Sequence, residues 1–260
     1  MGRKIKLIAA ITLCLVGCSC RSRSQPAPSP TPPPSQVELQ PLTFEAPFVA
    51  LYPREDGNAL ILRIDRVAQY QTIEAKVRYQ TAEGKSQGFL KTLRPEGEDF
   101  IEGEGIFGTC SKGVCRYDEG VEGGSVELIF KDREGKESLW KSDFKLYEAG
   151  SEEELGSADG KLALVLPESN VLVIHSLFGL PGGKIDVYQG YGHAVFPPFG
   201  QVEGEATFKF FDLPDGFEKL KIASWDGEEW QDGEVVADQD ELTISGKFFG
   251  NFVVVRKSPD

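Results

Sequence analysis

Histidine is nearly missing from this chain: His175 and His193 are the only two among 260 residues. The sequence contains no G-x-S-x-G, H-E-x-x-H, Walker-type glycine loop or dinucleotide-binding fingerprint, so the motif-borne hydrolase, zinc-protease and nucleotide chemistries have no anchor here. Glu102-Gly-Glu-Gly-Ile106 imitates a glycine loop but no helix pattern follows it. Methionine occurs once. No amphipathic helix of three turns can be found in residues 41–148. The apolar run over residues 7–17 is too short to cross a bilayer as a helix, which takes about 20 residues. Acid is wholly absent from residues 1–36, where five of the 28 Lys and Arg residues lie. The remaining 23 bases therefore face all 41 acids, and residues 37–260 carry a net charge of −18. An acidic body repels phosphate backbones and anionic lipid, which argues against nucleic acid as a partner and for a body that stands off the membrane. The plain reading of this charge is solubility.

What is present is strand patterning. Ile73-Glu-Ala-Lys-Val-Arg-Tyr79 alternates strictly, the period of a half-buried strand. Residues 59–64, 126–130 and 138–144 read as further strands, the last two joined by a turn over 132–136. After residue 160 the rhythm resumes at 162–166, 171–174, 184–188, 206–210, 220–225, 241–245 and 251–256. Between the two stretches, Glu148-Ala-Gly-Ser-Glu-Glu-Glu-Leu-Gly-Ser-Ala-Asp-Gly160 is acidic and Gly-rich and reads as a linker. The expected fold is mainly β, with two consecutive antiparallel β-sandwich domains over 41–148 and 160–257, joined by a linker at 149–159. One larger continuous sandwich is the alternative.

Cys110 and Cys115 form a C-x4-C pair. In an exported protein this predicts a disulfide across a hairpin, with Ser111-Lys112-Gly113-Val114 as the loop. Closing so short a loop contributes roughly 2 kcal/mol in the chain-entropy model. A zinc site is the other reading, but no further Cys or His lies nearby in sequence to complete four ligands.

The N-terminus has a basic start, Met1-Gly-Arg-Lys-Ile-Lys6, then the apolar run, then Leu15-Val-Gly-Cys18. This resembles the signal and lipobox of bacterial lipoproteins. The resemblance implies a signal peptide over 1–17, cleavage between Gly17 and Cys18, and a diacylglyceryl thioether on Cys18. Acylation of the freed amine would complete a stable two-signal anchor, the palmitate-type lipidation of such proteins. Cys20 is a rival acceptor but would set Gly17 where the motif prefers Leu. Residues 18–40 are rich in Pro and Ser and predict a disordered, extended tether. The implied location is the cell membrane or outer membrane, lipid-anchored and facing away from the cytoplasm.

Residues 41–148, with Gly105-Ile-Phe-Gly-Thr-Cys-Ser-Lys-Gly-Val-Cys-Arg-Tyr117, resemble an immunoglobulin-like module of bacterial surface lipoproteins. Residues 220–256, with Trp225-Asp-Gly-Glu-Glu-Trp230 and Phe249-Gly-Asn-Phe-Val-Val-Val255, are similar to the final hairpins of such sandwiches. The first departs from antibody-type domains in lacking an inter-sheet cysteine pair around a Trp. Both imply adhesion or scaffolding at a surface, with a protein or polysaccharide partner, no cofactor and no reaction.

Three places could bind a ligand. Tyr188, Tyr191, Phe196 and Phe199 lie among Gly and Pro and could stack on sugars or peptide side chains, or plug one end of a sandwich. Trp225 and Trp230 could form a platform, or pack on each other across a hairpin. Asp238, Asp240 and Glu241 could gather around calcium, although the EF-hand spacing is absent. His175 ends an apolar strand and reads as a strand-end or core residue before it reads as a base. The alternatives to a non-enzymatic binding module are a carbohydrate-binding module and a carboxylate-dependent envelope hydrolase.

Overall fold

The computed structural model describes residues 42–148, 154–166, 171–196, 202–233, 235–248 and 250–256. Cys18 and Cys20, the expected signal and tether over 1–40, and Phe199 lie outside the described residues. Residues 39–260 form one compact unit. Nine strands arise before residue 148: β1 (Phe48–Pro53), β2 (Ala59–Asp65), β3 (Tyr70–Gln80), β4 (Ser86–Leu93), β5 (Phe100–Ile106), β6 (Gly108–Ser111), β7 (Val114–Tyr117), β8 (Gly123–Asp132) and β9 (Glu137–Tyr147). Ten follow: β10 (Leu155–Gly156), β11 (Leu162–Val165), β12 (Leu172–Ser176), β13 (Val187–Phe196), β14 (Val202–Lys209), β15 (Leu220–Trp225), β16 (Trp230–Asp232), β17 (Val235–Asp238), β18 (Glu241–Phe248) and β19 (Asn251–Arg256). A single 3-10 turn, Phe217–Lys219, is the only helical element among the described residues. None of their helices is long and apolar enough to cross a membrane.

The protein is mainly β, as the strand rhythm predicts, but the sheets divide differently from two consecutive sandwiches. A nine-stranded sheet runs β16-β15-β19-β13-β12-β9-β8-β3-β4, and so draws on both halves of the chain. The junction is β9 with β12, where Phe144 to Tyr147 pair antiparallel with His175 to Leu172. A three-stranded sheet, β1-β2-β5, and a five-stranded sheet, β10-β11-β14-β18-β17, complete the layers, with β6-β7 as a separate hairpin. The stretch expected as a linker over 149–159 is, from Leu155 on, strand β10 and the turn into β11.

Side-chain parity shows how the layers sit. On β12, Val173 joins a core with β1, β2, β3, β8 and β9, whereas its neighbours Leu172 and Ile174 join a second core with β11, β14 and β18. Successive residues of a strand point to opposite faces, so the small sheets cover opposite faces of the long one. A third cluster sits on the same face as the first and joins Phe48 and Ala50 of β1 to Ala194, Phe196, Val253 and Val255. The central strands are thus buried on both faces: every residue from Tyr191 to Phe196 and from Asn251 to Val255 is buried. The β3 strand is covered on one face only, and Ile73, Ala75, Val77 and Tyr79 are buried while Glu74, Lys76, Arg78 and Gln80 are exposed. A strand covered twice reads as a continuous apolar run, and one covered once reads as an alternation.

Two side chains tie β1 and the segment before it to the rest of the body. The Leu51 N–H donates to His175 Nε2 at 3.3 Å. Arg66, in the left-handed region at φ 61°, donates to the Ala46 and Leu180 carbonyls at 2.8 and 2.7 Å and lies over the Phe44 ring. Arg66 therefore ties down the segment by which the N-terminal part of the chain joins the body.

Candidate functional site

The cysteine pair is bonded. Cys110 and Cys115 face each other across β6 and β7 with Cα atoms 4.0 Å apart. The loop is tighter than the four residues expected, because Ser111 and Val114 still pair and only Lys112 and Gly113 turn the chain. Both have positive φ, 51° and 80°, the geometry of a two-residue hairpin turn in which Gly is the favoured second residue. The hairpin is almost entirely exposed.

The aromatic candidates are used internally. Tyr191 is buried in the second core and stacks on Phe210 at 4.5 Å between ring centroids, with Tyr188 at 5.6 Å. Phe196 lies on the other face of the sheet, 4.6 Å from the Tyr52 ring. The structure thus brings Tyr188 and Tyr191 together and separates them from Phe196. Trp225 and Trp230 pair directly across β15 and β16, with rings 5.5 Å apart at 63°. The Trp230 indole N–H donates to the Gly182 carbonyl at 2.7 Å. These two rings grip the segment around Gly182 and are not coplanar. Asp238 and Glu241 close the β17–β18 turn, and Glu241 lies 3.8 Å from Lys209. Among the described residues no three His, Cys, Asp or Glu side chains gather in a metal-holding group.

Both histidines are inside. His175 is fully buried; its Nδ1 lies 2.8 Å from the Ser176 carbonyl, and its Nε2 accepts from Leu51. Those partners fix the neutral tautomer with the proton on Nδ1. Burial pushes its pKa down to about 4; the charge of His193 works in the same direction and the Ser176 bond works against them. His193 is also buried, with Nε2 3.0 Å from Asp159 Oδ1. Burial acts to raise the Asp159 carboxyl, but the His193 bond and charge, the Ser157 hydroxyl and the Lys161 N–H outweigh it and hold the group well below the usual carboxylate range.

The turn that carries Asp159 borders an open groove of about 690 Å³. It lies at the step where the long sheet emerges from under the five-stranded one. Its floor is the outer face of β3, β8 and β9, where Arg78, Ser125 and Asp143 oppose one another in a cross-strand row. Gly124 lets these strands close up: a Cβ there would stand 2.0 Å from the Arg78 carbonyl. The far wall is Ala158, in the turn from β10 to β11. That turn is clamped three ways. The Tyr147 hydroxyl donates to the Gly156 carbonyl at 2.7 Å and accepts the Gly156 N–H at 2.9 Å. The Ser157 hydroxyl donates to Asp159 at 2.6 Å and accepts the Leu162 N–H. Asp159 in turn holds His193. Lys145 and Glu122 also line the groove.

Strand patterning alone did not reveal this site. The exposed parity of Arg78 is legible in the alternation of β3, but its meeting with Asp143 and Ala158 depends on pairing between distant segments. One signal was present: Asp159-Gly160 between Leu155 and Leu162 is hairpin-turn chemistry inside the stretch read as a linker. Comparison of the chain with known family models, with curated proteins and with solved structures finds no match in any of the three.

Proposed function

We propose that this chain is a lipid-anchored extracytoplasmic lipoprotein whose β body binds a partner through the open groove beside Ala158 and carries out no reaction of its own. The groove is the observation that carries the binding reading: a concavity of about 690 Å³ with a sheet for its floor and a wall clamped through Tyr147, Ser157 and Asp159. A rigid, preformed surface lowers the ordering cost of association. The two histidines, the side chains best suited to proton transfer near neutral pH, are engaged in the interior by Leu51, Ser176 and Asp159. The Leu15-Val-Gly-Cys18 lipobox supports the anchor. The solvent-exposed Cys110–Cys115 disulfide supports an oxidising compartment such as the envelope. In this reading the two halves are immunoglobulin-like modules fused through a shared sheet, set off from the membrane by the Pro-rich tether.

Two variants test it. Cys18→Ala should abolish lipid labelling and release the full chain from the membrane fraction. Unchanged lipid labelling and sedimentation would remove the anchor from the proposal. Ala158→Arg places a long cation in the groove on an exposed turn and should abolish capture of envelope proteins by the full chain while leaving its melting temperature within a few degrees. Undiminished capture would move the binding site elsewhere, and catalytic turnover by the purified chain would replace a binding module with an enzyme.

A further inference from the structure

We propose that the groove takes an extended polypeptide segment of a partner protein that bears both an acidic and a basic side chain, the acid meeting Arg78 and the base meeting Asp143. The inference rests on the binding role proposed for that groove and names its ligand class. Four charged side chains line it, Arg78 and Lys145 against Glu122 and Asp143. Among the described residues none of the four stands within 4 Å of an opposite charge, and Arg78 acts at longer range on Glu127 in the next row. One row away on the same face the charges neutralise each other, Lys141 standing 2.8 Å from Glu127. The groove therefore presents two cations and two anions that are not neutralised by one another, and complementary charge on a ligand fixes its register and excludes single-sign competitors.

The shape of the floor favours a polypeptide over a sugar. Its two aromatic residues, Tyr79 and Phe144, are buried in the first core, where they pack around Phe107. A pyranose ring would find no aromatic face to stack on there. Glycine and serine instead leave the floor low, so a main chain can lie close to it. Arg78 and Asp143 stand on strands separated by β8, about 10 Å apart at the usual strand spacing. A chain in the extended polyproline conformation covers about 9 Å in three residues and, with three residues per turn, returns its side chain to the same side, so an acid and a base at positions i and i+3 match both partners. The groove also opens on the face of the long sheet opposite the one where Leu42 packs against the third core.

The test uses the full lipidated chain in detergent and fluorescent ten-residue peptides of Gly and Ser. One peptide carries Glu and Lys three residues apart, one carries two Glu, one carries two Lys, and dextran is the sugar control. The mixed peptide should bind about tenfold more tightly than either single-sign peptide, with the advantage shrinking at high salt. Asp143→Lys, at an exposed position, should shift the preference to the two-Glu peptide, whereas Lys247→Glu on the five-stranded sheet should change nothing. Equal or absent binding of the three peptides, a preference unmoved by Asp143→Lys, or binding of dextran in their place would overturn the proposal. These outcomes stand apart from the Cys18→Ala and Ala158→Arg results: loss of capture by Ala158→Arg alongside peptide indifference would leave the groove as the binding site and reject only this ligand class.

Discussion

His175 shows how one buried side chain can write a pH dependence into the whole fold. Its Nε2 accepts the Leu51 N–H and its Nδ1 serves the Ser176 carbonyl, so the folded protein holds it neutral, with a pKa lowered to about 4 chiefly by burial. The unfolded chain protonates the same residue near 6.5. Its contribution is therefore complete above about pH 6.5 and is lost as pH falls toward 4, by up to about 3 kcal/mol. His175→Leu should remove that slope from the difference between the two proteins' urea denaturation curves between pH 4 and 6.5. At pH 7 the variant should be less stable by about 2–4 kcal/mol, because the Leu51 N–H and the Ser176 carbonyl lose their partner. An unchanged slope would show that His175 is not shielded from water. The sequence placed this residue at a strand end or in the core. Its fastening of β1 to the long sheet, across 124 positions of chain, is not encoded in the neighbours of either residue.

At the scale of elements, the hairpin β6–β7 and the turn β10–β11 teach opposite lessons. The hairpin is exposed along its length and touches the body chiefly through Tyr117, whose ring and hydroxyl meet Arg54. Removing its disulfide with Cys110→Ser and Cys115→Ser should therefore loosen the hairpin locally, by roughly 2 kcal/mol in the chain-entropy model. The global melting temperature should hardly move, because the core clusters include no residue of β6 or β7. Hydrogen exchange resolved to residues 108–117 would separate the two outcomes, and a large global loss would contradict the picture. Two cysteines with four residues between them announced this element from sequence. The β10–β11 turn carried its own Asp-Gly signal, yet its importance comes from partners outside it: Tyr147 on the preceding strand and His193 far along the chain.

For the molecule as a whole, the pairing of β9 with β12 decides cooperativity. Strand rhythm suggests two modules that could melt apart, but the long sheet crosses from one half to the other, and Val173 of the second half sits in the core of the first. Urea should unfold residues 42–256 in one transition, with Trp fluorescence from Trp140 in one half and from Trp225 and Trp230 in the other giving coincident midpoints. A chain ending at residue 148 should expose the edge of β9 and the apolar contacts of Val173, and associate in solution. Two separate transitions would mean that the shared sheet does not couple the halves.

Several properties were settled by sequence alone. The alternation at 73–79 specified a strand covered on one face, because period-two patterning can be satisfied only by one wet and one dry side. The cysteine pair specified a hairpin staple, and the charge balance specified an acidic body. Tertiary structure alone decided the rest. The run Phe252-Val-Val-Val255 says that a strand is buried on both faces but not by what, since apolar contact carries no address. Only the packed sheets reveal that the two covers lie on opposite faces of a common layer, and that the step between them leaves Arg78, Asp143 and Ala158 around a single groove.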